Sequence, residues 1–148
     1  MTTGVANVKD LNVGDELPSL AFTMSLGHMR LFSGWPEWAA MGRNPVNQHT
    51  SPEMAEKVGR PAPIVQGLQM SACVEEMLIN SFGMDWFSGG KIMVYYVGIT
   101  IPGDVITAKG KIIEKTPQED GKTLLEMEVW GENQRAAKVT VGFASIAV

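Results

Sequence analysis

The sequence predicts an α+β fold, an antiparallel sheet wrapped round one long buried helix. Three observations carry this. Residues 64–82 form one apolar segment with helical spacing, and residues 91–148 break into strand-like runs separated by turns. Helical and strand-like segments also come in blocks, not in alternation, which argues against a βαβ architecture.

Taken in order, residues 1–12 carry no periodicity and are expected to be a flexible tail, leaving 13–148 as a single domain. A chain of 148 residues is one domain by length and can bury one core without staples. Val13-Gly14-Asp15 opens a turn, and 17–24 reads as a first strand. Residues 27–42 hold Met29, Leu31, Phe32, Trp35, Trp38 and Met41 and predict short helical pieces broken at Pro36. A polar loop over 43–52 follows. Ser51-Pro52-Glu53 is a helix start, with a capping hydroxyl, proline at the first helical position and an acid in the first turn. That helix, 52–58, stops at Gly59, and Pro61 and Pro63 enforce an extended connector.

In the main helix, 64–82, Gln66, Gln69, Glu76 and Asn80 fall in one narrow stripe at 100° steps. So thin a polar face predicts a helix that is mostly buried, ended by Gly83. The strand-like runs are 91–100, 105–115, 123–130 and 137–148, with turn chemistry at Pro102-Gly103-Asp104, 116–121 and 131–135. Four or five strands curled round one helix is the hotdog arrangement.

The net charge of −4 argues against a general nucleic-acid or membrane-surface binder. The single cysteine, Cys73, cannot close an internal disulfide. The start MTTGVANVKD has no apolar core of a signal peptide, and no run approaches the length of a membrane span, so a cytoplasmic protein is expected.

Few residues can do chemistry. With His 2 and Cys 1 in the chain, no metal-ligand cluster and no nucleophilic triad is expected. His49, in the polar stretch Asn47-Gln48-His49, is a candidate base, because imidazole changes charge near neutral pH. Gly67, at the head of the apolar helix, is a candidate oxyanion donor through its N–H, aided by the helix dipole, or else a seat for close helix–sheet packing. Asn47 either polarises His49 or water, or shapes the turn. His28 is expected to be a surface or capping residue and Cys73 an inert core thiol. Ser88-Gly89-Gly90 is too short for a phosphate loop.

The stretches VGDELPSL (13–20), NQHTSPEMAEKVG (47–59), PIVQGLQ (63–69), IPGDVITAKGKI (101–112) and ENQRAAKVTVGFASI (132–146) together resemble the MaoC-like acyl dehydratases, relatives of the (R)-specific enoyl-CoA hydratases. The resemblance covers nearly the whole chain. It implies a hotdog fold, dimerisation through sheet edges, a site at the dimer interface and reversible addition of water to a 2-enoyl thioester. His49 matches the family histidine, with Ala55 and Gly59 following at the family spacing, and Gly67 matches the helix-head glycine. The family has an aspartate five residues before its histidine, and that position here is Asn44. Asparagine orients water but accepts no proton. Asn44, Asn47, Glu37 and Glu75 are therefore the candidates to stand in, Glu75 as a buried acid on the apolar side of the helix. Residues 35–43 look inserted relative to shorter members.

Trp35, Trp38, Gln66 and Arg60 are the expected substrate-binding residues. Arg43, Lys57, Lys91 and Arg135 are further candidates for coenzyme A phosphates. No resident cofactor is implied, since the coenzyme A thioester is substrate, and a homodimer or higher homo-oligomer is expected. Two other readings stand beside hydration: an acyl-thioester-binding subunit without hydratase activity that acts in a heteromer, and a hotdog thioesterase.

Overall fold

The computed structural model describes residues 10–43 and 46–148. In chain order the elements are β1 (Leu20–Thr23), α1 (Leu26–Phe32), α2 (Glu37–Ala40), α3 (Pro52–Lys57), α4 (Gly67–Phe82), α5 (Met84–Gly89), β2 (Lys91–Tyr96), β3 (Val105–Pro117), β4 (Thr123–Glu132) and β5 (Lys138–Ala147). The strands form a 5-stranded sheet in the order β1-β3-β4-β5-β2, antiparallel at each junction. This is the predicted α+β hotdog arrangement, with α4 seated against one face of the sheet.

Alternation explains the seat. In β4, β5 and the first part of β3, through Ile112, buried residues alternate: Ala108 and Ile112, then Leu125, Met127 and Val129, then Ala144 and Ile146. These meet Val74, Met77, Leu78 and Phe82 of α4 in the main core. Each fully buried Leu, Ile or Met side chain contributes roughly 1.5–3 kcal/mol. A second cluster, of Met24, Met29, Val65, Met70, Cys73, Ile106 and Val139, lies under α1 and the first turns of α4.

Helix α3 starts where the sequence predicts, and α1 begins one residue before the predicted 27–42 stretch. Ser25 Oγ accepts the His28 N–H at 3.1 Å to cap α1. Ser51 Oγ accepts the Met54 N–H at 3.3 Å to cap α3, with Pro52 at its first position.

Four expectations are corrected. The main helix begins at Gly67, since 64–66 are still extended and Val65 N–H bonds Thr100 O at 2.9 Å. It is buried on one side only. Leu68 is 70% exposed, and Ala72, Glu75, Glu76 and Asn80 are exposed with it, whereas Gln69, assigned to the polar stripe, is buried. A single sheet covers one side of a helix, and none of the described residues covers the other. An extra helix, α5, fills the predicted break after Gly83, which turns at φ 63 so that Trp86 stacks on Phe82 with ring centroids 6.2 Å apart. Of the expected tail, residues 1–9 lie outside the described residues, and Leu11 is buried in the main core with its carbonyl held by Lys115 Nζ at 2.8 Å. No helix among the described residues is long and apolar enough to cross a membrane.

Candidate active site

Three segments converge at the N-terminus of α4: the end of α1, the turn at 47–50 and the connector at 64–67. The turn is built by local hydrogen bonds. Asn47 Oδ1 accepts the His49 N–H at 2.8 Å, and Thr50 Oγ1 accepts the Asn47 N–H at 2.9 Å. Such asparagine-led bonds substitute for backbone pairing in a tight turn. Asn47 therefore shapes the turn, and its side-chain oxygen serves the His49 backbone, not the imidazole.

His49 is half-buried, and its Nδ1 lies 2.8 Å from Ile64 O. A carbonyl only accepts, so Nδ1 carries the hydrogen and donates it. In the neutral ring Nε2 is then the bare nitrogen, able to take a proton. The same connector is held to the turn by Ile64 N–H to Gln48 O at 3.3 Å. The ring is thus fixed to the segment that leads, three residues on, into Gly67.

Gly67 opens α4, where the first N–H groups have no carbonyl behind them and face forward along the axis. A Cβ at Gly67 would lie 2.5 Å from Tyr96 Cε2, inside the ring's own space. Tyr96 is the last residue of β2, and its Oη is 2.6 Å from Ser71 Oγ on the next turn of α4. Glycine here lets an aromatic ring close over the helix start, so the packing role is real whatever the amide does.

Gln66 donates its Nε2 to Ser33 Oγ at 2.6 Å, and the Ser33 hydroxyl donates to Met29 O at 2.8 Å, tying α1 to the head of α4. Arg30 donates Nε to Thr50 O at 3.0 Å, tying α1 to the His49 turn. Its guanidinium stands 5.5 Å from the Trp35 ring centroid. Arg60 donates Nε to Gln48 Oε1 at 3.2 Å from the other side of the turn.

The sequence-predicted residues thus divide. His49, Asn47, Gln66, Gly67, Arg60 and Trp35 share this neighbourhood. Trp38 is 44% exposed and folds back over Gly34, where a Cβ would meet its Nε1 at 2.7 Å. Glu37 is exposed on α2. Glu75 corrects the expectation of a buried acid: it sits on the uncovered face of α4, in solvent within this chain. Asn44 lies outside the described residues. His28 is exposed in the first turn of α1, as expected. Burial, with a smaller push from the Glu76 charge, raises the Cys73 thiol to about 12, which leaves it protonated and unreactive.

Sequence reasoning missed Arg30, Ser33, Thr50 and Tyr96. Their roles come from partners distant in sequence, 20 residues for Arg30 and Thr50, 25 for Tyr96 and Ser71 and 33 for Ser33 and Gln66, and no local pattern marks them.

No protein-family model matches the chain, and no curated protein matches it. Solved structures do. A MaoC-like dehydratase from Rhodospirillum rubrum superposes with TM-score 0.75 at 20% identity over 95% of this chain and 94% of that one. The R-hydratase PhaJ1 from Pseudomonas aeruginosa gives 0.72 at 18% identity, covering 93% of this chain and 82% of that one. A chain of the ChsH1-ChsH2 complex from Mycobacterium tuberculosis gives 0.70 at 17% identity, covering 93% and 98%. Taken with the sheet order and the central helix, these place the chain in the hotdog fold of the MaoC-like dehydratases and R-hydratases.

Proposed function

We propose that the protein adds water to, or removes it from, the 2,3-position of an acyl thioester, with coenzyme A as the carrier. The carrying observation is the Nδ1–H bond from His49 to Ile64 O at 2.8 Å, which frees Nε2 and fixes the ring to the segment that opens into Gly67. In hydration, Nε2 takes a proton from water as the water oxygen bonds to the β-carbon. The displaced π electrons move to the thioester oxygen, and the Gly67 N–H holds that developing charge. One such donor supplies about 3 kcal/mol in the transition state. The imidazolium then gives its proton to the α-carbon, which completes the balance, and dehydration runs the same steps backward. With asparagine at 44, one imidazole both takes and returns the proton, while Asn44 orients the water.

His49→Ala should lower hydration of a short 2-enoyl-CoA by about 10²–10⁴-fold, followed as loss of the enoyl absorbance. Asn44→Asp should preserve or raise it. Unchanged turnover in His49→Ala would remove the mechanism. Release of free thiol instead of loss of the double bond would mark a thioesterase.

The exposed apolar side chains of β2 and α4 support assembly as a homodimer, as large uncovered apolar surface does in general. A second reading is favoured by Asn44 together with the likeness to a chain of the ChsH1-ChsH2 complex: a thioester-binding subunit that needs a different partner chain for turnover. Purified protein that binds acyl-CoA yet turns it over only when such a partner is added would select that reading.

A further inference from the structure

The His49 turn is flanked by two half-buried guanidiniums, and neither has a counter-charge among the described residues. Arg30 reaches it from α1 and Arg60 from the end of α3, each spending Nε on a neutral oxygen, Thr50 O at 3.0 Å and Gln48 Oε1 at 3.2 Å. The ion pairs among the described residues are Lys57–Glu53 and Lys109–Glu132, both elsewhere. Acids are not scarce, with Asp+Glu 16 against Lys+Arg 12, so two unpaired arginines at one turn are not explained by a shortage of carboxylates. A half-buried charge without a partner is costly.

Arg30 is the better defined of the two. Its plane is set by the Trp35 ring at 5.5 Å and its Nε by the Thr50 carbonyl. That leaves both terminal Nη groups, four N–H donors in a fixed fork, without a partner among the described residues. Such a fork matches the paired oxygens of a carboxylate or phosphate.

We infer that Arg30 is an anion-binding residue, taking a carboxylate or phosphate of the ligand beside His49. Resting on the thioester reading of the site, this narrows the ligand to a thioester that carries a second negative group within reach of the turn. The group belongs either to the acyl part, making it the half-thioester of a dicarboxylic acid, or to the carrier.

Equilibrium binding of saturated thioesters, which cannot be hydrated, tests this without turnover. Glutaryl-CoA carries an acyl carboxylate and the carrier phosphates, butyryl-CoA only the phosphates, and S-butyryl-pantetheine neither. Each is titrated calorimetrically into the full chain, its Arg30→Gln and its Arg30→Lys. If the acyl carboxylate is the anion, Arg30→Gln weakens glutaryl-CoA by about 10–100-fold and leaves the other two unchanged. If a carrier phosphate is the anion, both coenzyme A esters weaken by that factor and the pantetheine ester does not. Arg30→Lys, which keeps the charge and a donor for Thr50 O, recovers part of the loss in either case. Equal weakening of all three ligands, no weakening of any, or no binding of any to the unaltered chain overturns the inference. An Arg30-dependent binding signal in a chain that hydrates no enoyl thioester leaves this site standing and sinks the hydratase reading alone.

Discussion

Glu132, at the end of β4, accepts from Lys109 Nζ of β3 and from Trp130 Nε1 at 3.1 Å. The Lys109 hydrogen bond, helped by Trp130 and by the charges of Lys109 and Lys138, holds its carboxyl below the ordinary carboxylate value. The native state therefore binds a proton less readily than the unfolded chain. The stabilisation is fully present above the unfolded value of about 4.3 and is lost as pH falls through the lower native value. With both side chains partly in water the gain is about 1 kcal/mol or less. The melting temperature of Glu132→Gln should lie below that of the unaltered chain at pH 6, and the gap should close as pH drops below 4. A gap that widens on acidification would contradict the pairing. At this scale the sequence marks His49 and Gly67 as candidates because few residue types do their chemistry and a helix-head glycine after a proline-bearing connector is a local pattern, and the fold brings both to the N-terminus of α4. Arg30 was not legible. Its significance lies in Thr50 and Trp35, which only the fold brings to it.

Helix α4 and strand β2 meet at one crowded contact. Adding a methyl at Gly67 puts it 2.5 Å from the Tyr96 ring, which must swing out and release its 2.6 Å bond to Ser71. Gly67→Ala should cost about 1–2 kcal/mol in urea unfolding, and Tyr96→Ala in the same chain should restore most of it. Stability equal to the unaltered chain in Gly67→Ala alone would show that no such contact exists. Most element boundaries could be read from turn residues: Pro36, Ser51, Gly83 and Pro102-Gly103 all fall between elements, and Pro52 opens α3. The exposure of α4 could not. Counting polar residues round a helix shows how apolar it is, yet not which sides a neighbouring layer covers. Leu68 and Gln69 exchanged their expected places for this reason, and Glu75 with them.

Across the whole molecule, β2 closes one edge of the sheet and carries Met93 at 54%, Tyr95 at 53% and Tyr96 at 48% exposure. Leu68, at 70%, is a further exposed apolar side chain, on α4. An open edge with apolar flanks is a template for a second chain. Sedimentation at micromolar concentration should give the mass of two chains, and Val97→Lys, just past the end of β2, should shift the protein toward one. A single-chain mass for the unaltered protein would refute the dimer. Tyr96 is at once the last residue of that border strand and the ring that fills the space a side chain at Gly67 would take. A second chain paired along that border would press, through one aromatic ring, on the helix start that carries the donor proposed to steady the enolate. Dilution that separates the chains should therefore slacken turnover.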